Sequence, residues 1–411
     1  MTLSQQQRRL HYGWVIAGAG VLVLLSSIGL GRLAYAMLLP GMQAGLHLSY
    51  AKMGLVGTCN FAGYLAAMFL VPLVVHRCQP RATVVMGSLV VGGSLLMMSQ
   101  SHSYPALLVC FTITGVGTGL ANISVMALTA PWYYNDQRGK ATGILLCGNG
   151  LGVMLAGLVV PQFNRVYGVN GWRAGWLTFG LIALVVACTS ALLLRNHPRE
   201  MDLEPLGTAP VATLEEPYLL PQQGNRGTLV RLSLLYMAFG ITASIYSTFI
   251  VSSMIHEYGL NERTAGFYWS WLGLCSFFSG VGFGTLSDRI GRGPGMAAIF
   301  GVQTVAYLLA GLKLGPVGLI VSVVLFGFTI FGSPAVITAA CGDYFGASMA
   351  RGLSVATLIF AIGQTLGPVI AGWIAGPSGI FTRAYLIAAV VTAAAAVFAL
   401  TLRKSDKKSS Y

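Results

Sequence analysis

Apolar runs of about 20 residues recur along the whole sequence, and they constrain the fold more than any other feature. A run of this length spans a bilayer as an α-helix, which satisfies its backbone polar groups internally. Only 9% of the residues are charged, against about 25% in a typical soluble domain. The sequence therefore predicts an all-α membrane protein with twelve transmembrane helices, whose partner is the lipid bilayer. The twelve predicted spans lie at about 13–39, 52–75, 82–100, 104–130, 140–163, 173–194, 230–254, 264–286, 294–312, 316–340, 353–375 and 380–402.

The basic residues are distributed unevenly between the loops, and the formal net charge is +13. If the N-terminus is cytoplasmic, 17 of the 24 Lys and Arg residues fall on the cytoplasmic side, six fall on the other side, and Arg32 lies within a span. This asymmetry follows the positive-inside rule. It predicts a multi-pass protein of the cell inner membrane with both termini in the cytoplasm. Because membrane topology accounts for the excess of basic residues, no nucleic-acid partner is expected.

A polar segment with five prolines and five acidic residues divides the spans into two sets of six. Such a composition is typical of a linker. The predicted domains are an N-terminal six-helix bundle at 1–195, a cytoplasmic linker at 196–229, a C-terminal six-helix bundle at 230–402 and a basic cytoplasmic tail at 403–411.

The two halves also resemble each other in sequence. Arg-Gly at 138–139 recurs at 351–352, and Ala-Gly at 156–157 recurs at 371–372, which is about half the chain away. A repeat whose copies enter the membrane in the same sense implies a pseudo-two-fold axis along the membrane normal. The substrate site is then expected between the two pseudo-symmetric bundles, near the midplane.

The sequence GTLSDRIGR at 284–292, between spans eight and nine, closely resembles the loop signature of the major facilitator superfamily (MFS) of transporters. Three further features resemble its monocarboxylate porter and oxalate/formate exchanger branch: YGWV at 12–15, GVGTGLAN at 115–122 followed by PWYY at 131–134, and a cation 18 residues after Trp14. The segment at 31–40 is similar to an uncharacterised bacterial subgroup. The resemblance implies the MFS fold and secondary active transport by alternating access, in which the two bundles rock about a central site.

Arg32 is the one cation that lies more than four residues from either end of a predicted span. A charge at that depth costs at least ~2.5–3.5 kcal/mol unless it faces protein, water or a partner. The planar guanidinium matches a carboxylate bidentately, so we predict that Arg32 binds a small organic anion, most simply a monocarboxylate. Further candidates for substrate binding are polar groups of other spans: Tyr35, Asn122, Asn149, Tyr246 and Gln364.

The resemblance also implies a gate in the 284–292 loop. There Asp288, with Arg289 and Arg292, would cap a helix or pair with an arginine of a neighbouring span. A solvated loop is the alternative.

No Asp, Glu or His is predicted in the middle of a span. A proton relay through protein carboxylates is therefore not expected. A co-transported proton that travels with the anion, exchange and uniport all stay open.

Two rival hypotheses remain. The first is an MFS efflux transporter for neutral or cationic compounds, in which Arg32 is structural. The second is a membrane enzyme or sensor, which the absence of a nucleophile–base pair or metal-ligand spacing disfavours. We expect no enzymatic activity, no catalytic residues, no metal, no cofactor and a monomeric protein.

Overall fold

The computed structural model describes residues 11–208 and 226–402, which are almost entirely helical. The predicted basic tail at 403–411 and the middle of the predicted linker lie outside the described residues. The helices are α1 Gly13–Leu24, α2 Tyr35–Leu46, α3 Tyr50–Ser99, α4 Tyr104–Thr129, α5 Asn135–Tyr167, α6 Gly171–Leu193, α7 Arg226–His256, α8 Glu262–Ile290, α9 Arg292–Gly311, α10 Gly315–Thr329, α11 Gly332–Phe345, α12 Met349–Ala375 and α13 Thr382–Ala399.

The predicted twelve-span fold is confirmed. Within the described ranges, nine helical stretches are long and apolar enough to cross a membrane. Two of them contain two spans each, because Tyr50–Ser99 reverses at Gln79, where φ is 65°, and Asp136–Leu193 turns at Gly168 between α5 and α6. Helix α8, which is the eighth span in chain order, completes the count of twelve. Its 29 residues include many serines and glycines, which lower its hydropathy.

Small residues let the helices approach closely. The spans form bundle 1 (α1 to α6) and bundle 2 (α7 to α13). Within bundle 1, a Cβ added at Gly63 would lie 2.1 Å from the Thr112 backbone oxygen, and one at Gly115 would lie 2.0 Å from the Asn60 backbone oxygen. Because lipid offers no hydrophobic drive for helix association, such close backbone packing is what holds membrane helices together.

Bundle 1 and bundle 2 are in closer contact at one membrane face than at the other. We name them the linker face, where Leu193 ends α6 and Arg226 begins α7, and the opposite face, where His256 ends α7. Toward the opposite face, α5 and α8 touch at Gly157 and Gly266, where an added Cβ would lie 2.2–2.4 Å from the other helix's backbone oxygen.

Helices α5 and α8 diverge toward the linker face. There Gly139 and Gly284 have no heavy atom within 4 Å of an added Cβ, and a cavity of about 430 Å³ separates the two helices. Helices α3 and α12 likewise meet near the opposite face, where an added Cβ at Gly54 would lie 2.4 Å from the Pro368 oxygen. The bundles are therefore in contact at the opposite face and parted between α5 and α8 at the linker face.

The first part of the predicted linker packs on the linker face of bundle 1. The Leu206 amide donates to the Trp132 carbonyl at 2.9 Å, and the Tyr134 amide donates to the Leu206 carbonyl at 3.0 Å. The Thr208 amide donates to Asp136 at 3.2 Å. The chain therefore leaves bundle 1 from a fixed position beside the start of α5.

A buried carboxylate ties the elements of bundle 2 together at the opposite face. The Glu257 side chain is 4% exposed. It accepts hydrogen bonds from the Phe381 amide (2.8 Å) and the Thr382 hydroxyl (3.0 Å) at the start of α13, and it pairs with Lys313 at 3.1 Å. Glu257 therefore serves as the acceptor for the first turn of α13.

Replacing Glu257 with alanine is expected to lower the thermal unfolding midpoint of the detergent-solubilised protein. The Phe381 amide and the Thr382 hydroxyl would lose their acceptor, and a buried donor left without a partner costs about 1–3 kcal/mol. Lys313→Met is the control and should cost less, because Glu257 keeps its two hydrogen bonds at the start of α13 and an ion pair with a partner that is 41% exposed contributes little. Equal midpoints for Glu257→Ala and wild type would contradict this role.

Candidate functional site

A π-helical segment, Leu25–Leu33, interrupts the first span and carries Arg32 at its end. The Ala34 amide donates to the Gly29 carbonyl five residues back, at 2.9 Å. Gly29 packs on Gly152 of α5, where an added Cβ would lie 2.6 Å from the Gly152 Cα atom. Single π-turns within helices occur frequently at functional sites. Here the wider turn sets the direction in which the Arg32 side chain projects from the first span.

The Arg32 guanidinium lies between the bundles against two aromatic rings. Its centre is 4.0 Å from the centroid of the Phe61 ring and 4.9 Å from that of Tyr64, both on α3. Its Nη2 donates to Gln364 Oε1 on α12, which is a contact from bundle 1 to bundle 2. No Asp or Glu among the described residues forms a salt bridge with Arg32. The guanidinium therefore contacts two aromatic rings and one side-chain amide, and it has no counterion among the described residues.

Asn122 extends the same wall of the site. Its Nδ2 donates to the Tyr64 hydroxyl at 2.9 Å, so α4 positions the ring that contacts Arg32. On α12, Phe360 precedes Gln364 by one turn and stacks on Tyr236 of α7 with 4.2 Å between centroids. Side chains of both bundles therefore contact Arg32: Phe61 and Tyr64 from bundle 1 and Gln364 from bundle 2.

Tyr35 lies close to Arg32, but its polar end is already engaged. It is buried, its hydroxyl donates to the Met53 carbonyl at 2.6 Å, and its ring lies 4.9 Å from that of Phe111. In this conformation Tyr35 offers its ring, and its hydroxyl is held by α3.

Two other predicted residues are not brought to Arg32. The Tyr246 hydroxyl bonds to Ser322 Oγ at 2.6 Å inside bundle 2, and the Tyr246 ring packs on Phe326 at 4.3 Å. Asn149 is buried in α5, where its backbone oxygen faces Gly29 and its Oδ1 has no partner. Both lie in helix–helix contacts, which is the commoner fate of polar residues in membrane spans.

A small void of about 10 Å³ lies beside Arg32, and no pattern in the sequence predicts it. It is lined by Arg32, Leu33, Tyr35, Ala36, Gly57, Asn60, Phe61, Phe111, Ser247 and Thr248. The sequence prediction of the site does not include Phe61. Its spacing of three residues from Tyr64 puts both rings on one face of α3, and this was the available signal.

The three predicted gating residues lie at the linker face of bundle 2. Arg292 pairs with Asp288 at 2.6 Å and with Asp343 of α11 at 2.7 Å, and it donates to Ser287 Oγ at 2.8 Å. Asp288 is largely exposed and lines the 430 Å³ cavity together with Arg138 of bundle 1. Arg289 is exposed. The loop is therefore braced within bundle 2, and Asp288 faces the gap between the bundles.

Comparisons with known proteins place the chain among transporters. The family described as "Uncharacterised MFS-type transporter YbfB" matches residues 24–402. The chain is 26% identical to the oxalate:formate antiporter of Oxalobacter formigenes over 66% of this chain and 63% of that protein, which is less than two thirds of its length. It is 21% identical to monocarboxylate transporter 12 of Xenopus laevis over 94% of this chain and 89% of that protein. The predicted resemblance to this branch is confirmed.

The fold is also found among solved structures. A bacterial homologue of the human lysosomal transporter Spinster superposes with a TM-score of 0.68 and 16% sequence identity, over 95% of each chain. At that identity the likeness concerns the fold.

Proposed function

Because this chain belongs to the MFS family of membrane transporters, and is therefore not an enzyme, we propose that it moves a small organic anion, most simply a monocarboxylate, by alternating access. Arg32 binds the anion. The observation that carries this proposal is the uncompensated guanidinium between the bundles, which uses one of its five N–H donors on Gln364.

The physical argument rests on charge. A cation held away from bulk water without a counterion is costly, and a substrate carboxylate that accepts two N–H bonds from the planar fork offsets that cost. The Arg32 guanidinium lies over the rings of Phe61 and Tyr64, and its hydrogen bond to Gln364 uses one N–H group, which leaves further N–H groups for a carboxylate. The named substrates of the two curated relatives, oxalate, formate and monocarboxylates, all carry a carboxylate group, which supports an anion here.

Alternating access follows from how the bundles meet. By the positive-inside rule the linker face is the cytoplasmic face, so the structure corresponds to a carrier closed to the outside. Rocking of the bundles would part Gly157 from Gly266 and Gly54 from Pro368 while the linker face closes. That closure would bring Asp288 toward Arg138 across the cavity that both line, and we propose this pair as the inner gate, with Arg292 and Arg289 supporting the loop.

Coupling to protons would run through the substrate. Among the described residues no carboxylate pairs with Arg32. A proton could therefore enter with the anion, or the carrier could work by exchange or uniport.

Three ligands with the same carbon chain and different charge test the charge of the substrate. We expect propanoate and other small carboxylates to raise the thermal unfolding midpoint of the purified protein, whereas propanamide and propylamine at equal concentration and ionic strength should not. At 100 times its dissociation constant a ligand adds about 2.7 kcal/mol of stability. Stabilisation by the amide or amine, with none by any carboxylate, would overturn the anion proposal and favour the efflux hypothesis.

A further inference from the structure

The void beside Arg32 has polar groups on several sides. Arg32, Asn60, Ser247 and Thr248 all line it, and they come from the π-segment, α3 and α7. Its volume of about 10 Å³ is close to the space that one water-sized group needs, about 10–15 Å³. It therefore suits one small polar group rather than a substrate body.

Asn60 contributes an unpaired acceptor at this void. The residue is 1% exposed, and its Nδ2 donates to the Phe111 carbonyl at 3.1 Å. That bond fixes the orientation of the amide, and its Oδ1 is buried with no hydrogen-bond partner. Buried acceptors without partners are rare and costly. The close approach of α4 at Gly115 to the Asn60 backbone fixes the position of α3 at this residue.

We propose that Asn60 Oδ1 accepts a hydrogen bond from a hydroxyl group that the substrate carries next to its carboxylate, so that the carrier selects 2-hydroxy acids. The inference rests on the proposed function. Arg32 would hold the carboxylate, and the adjacent hydroxyl would occupy the void and donate to Asn60. Ser247 and Thr248 from bundle 2 would then close on the same group.

The chemistry discriminates between close analogues. A hydrogen in place of the hydroxyl leaves Asn60 Oδ1 without a donor. A 2-oxo group places its acceptor oxygen against the acceptor Asn60 Oδ1, and the repulsion between the two oxygens weakens binding further. A methyl group cannot donate and fills the limited space. The sequence could not reveal this role, since an asparagine in a span more often bonds another helix, and here only one end of the amide does so.

Calorimetric titration of the purified full-length protein with 2-hydroxypropanoate, propanoate and 2-oxopropanoate at pH 7, where all three are ionised, tests the proposal. We expect the hydroxy acid to bind at least about tenfold more tightly than either analogue, the factor expected when a buried acceptor loses its donor. This comparison needs no variant. Equal affinities for all three in wild type would overturn the role of Asn60.

Asn60→Leu, which keeps the size and removes the acceptor, should abolish the preference while retaining propanoate binding. Ser88→Ala is the matched control, because Ser88 lies in the same range Tyr50–Ser99, is buried with an unpaired Oγ and does not line the void. A preference that survives in Asn60→Leu would also overturn the proposal. If no carboxylate binds wild type at all, the anion proposal itself fails, which is a different result.

Discussion

Replacing Arg32 with glutamine is expected to weaken binding of the anionic substrate by at least about 30-fold, since removing one partner of a buried charge pair costs about 2–5 kcal/mol. Glutamine keeps a polar donor but loses the charge and the planar fork that match a carboxylate. Because we propose that Arg32 holds the anion in both conformations of the carrier, counterflow in proteoliposomes should be lost as well. Titration calorimetry measures the affinity, and uptake of labelled anion measures transport.

Two variants make this result specific. Arg32→Lys keeps the charge but loses the planar fork of donors and the guanidinium contact with Phe61 and Tyr64, so an intermediate loss is expected. Arg173→Gln is the matched control, because Arg173 also stacks on a ring, that of Trp172 at 4.3 Å, and donates to a backbone carbonyl, that of Ser99 at 2.9 Å. If Arg32→Gln binds the anion as wild type does, the guanidinium is structural and the efflux hypothesis gains.

The sequence predicted the spans well because membrane insertion imposes a length and a composition that are visible locally. Arg32 was recognisable for the same reason, since a charge within an apolar run is an exception to that composition. The partner of Arg32 was less accessible. Gln364 lies 332 residues away, and only the packing of bundle against bundle brings the two together.

The remaining site predictions were limited because the sequence does not show which side of each helix faces the centre of the protein. Helix α7 carries hydroxyl-bearing residues on all sides, so its sequence does not say which side faces the centre. In the structure Ser247 and Thr248 line the void beside Arg32, whereas Tyr246 points away into bundle 2 and bonds to Ser322. The π-segment added a second obstacle, because it rotates Arg32 relative to the positions that a regular helix would give.

The glycine contact between the bundles leads to the second large expected effect. Gly266→Val should prevent closure of the opposite face, because a Cβ at Gly266 would lie 2.2 Å from the Gly157 backbone oxygen of α5. Overpacking costs about 1–3 kcal/mol, which lowers the population of the closed state by about 5–150-fold at 1.4 kcal/mol per factor of ten. Transport, which requires both states, should fall accordingly, whereas the folded protein and anion binding should persist.

Val169 of bundle 1 and Arg263 of bundle 2 line a cavity of about 720 Å³ at the opposite face, and spin labels at these two positions report the separation directly. We expect longer distances in Gly266→Val than in the wild-type background. Gly301→Val is the control, because Gly301 lies in helix α9 with no atom within 4 Å of an added Cβ, so the same loss of helical glycine occurs without a clash. Unchanged distances with normal transport in Gly266→Val would mean that α5 and α8 need not touch here, and closure of the opposite face would then depend on α3 and α12 alone.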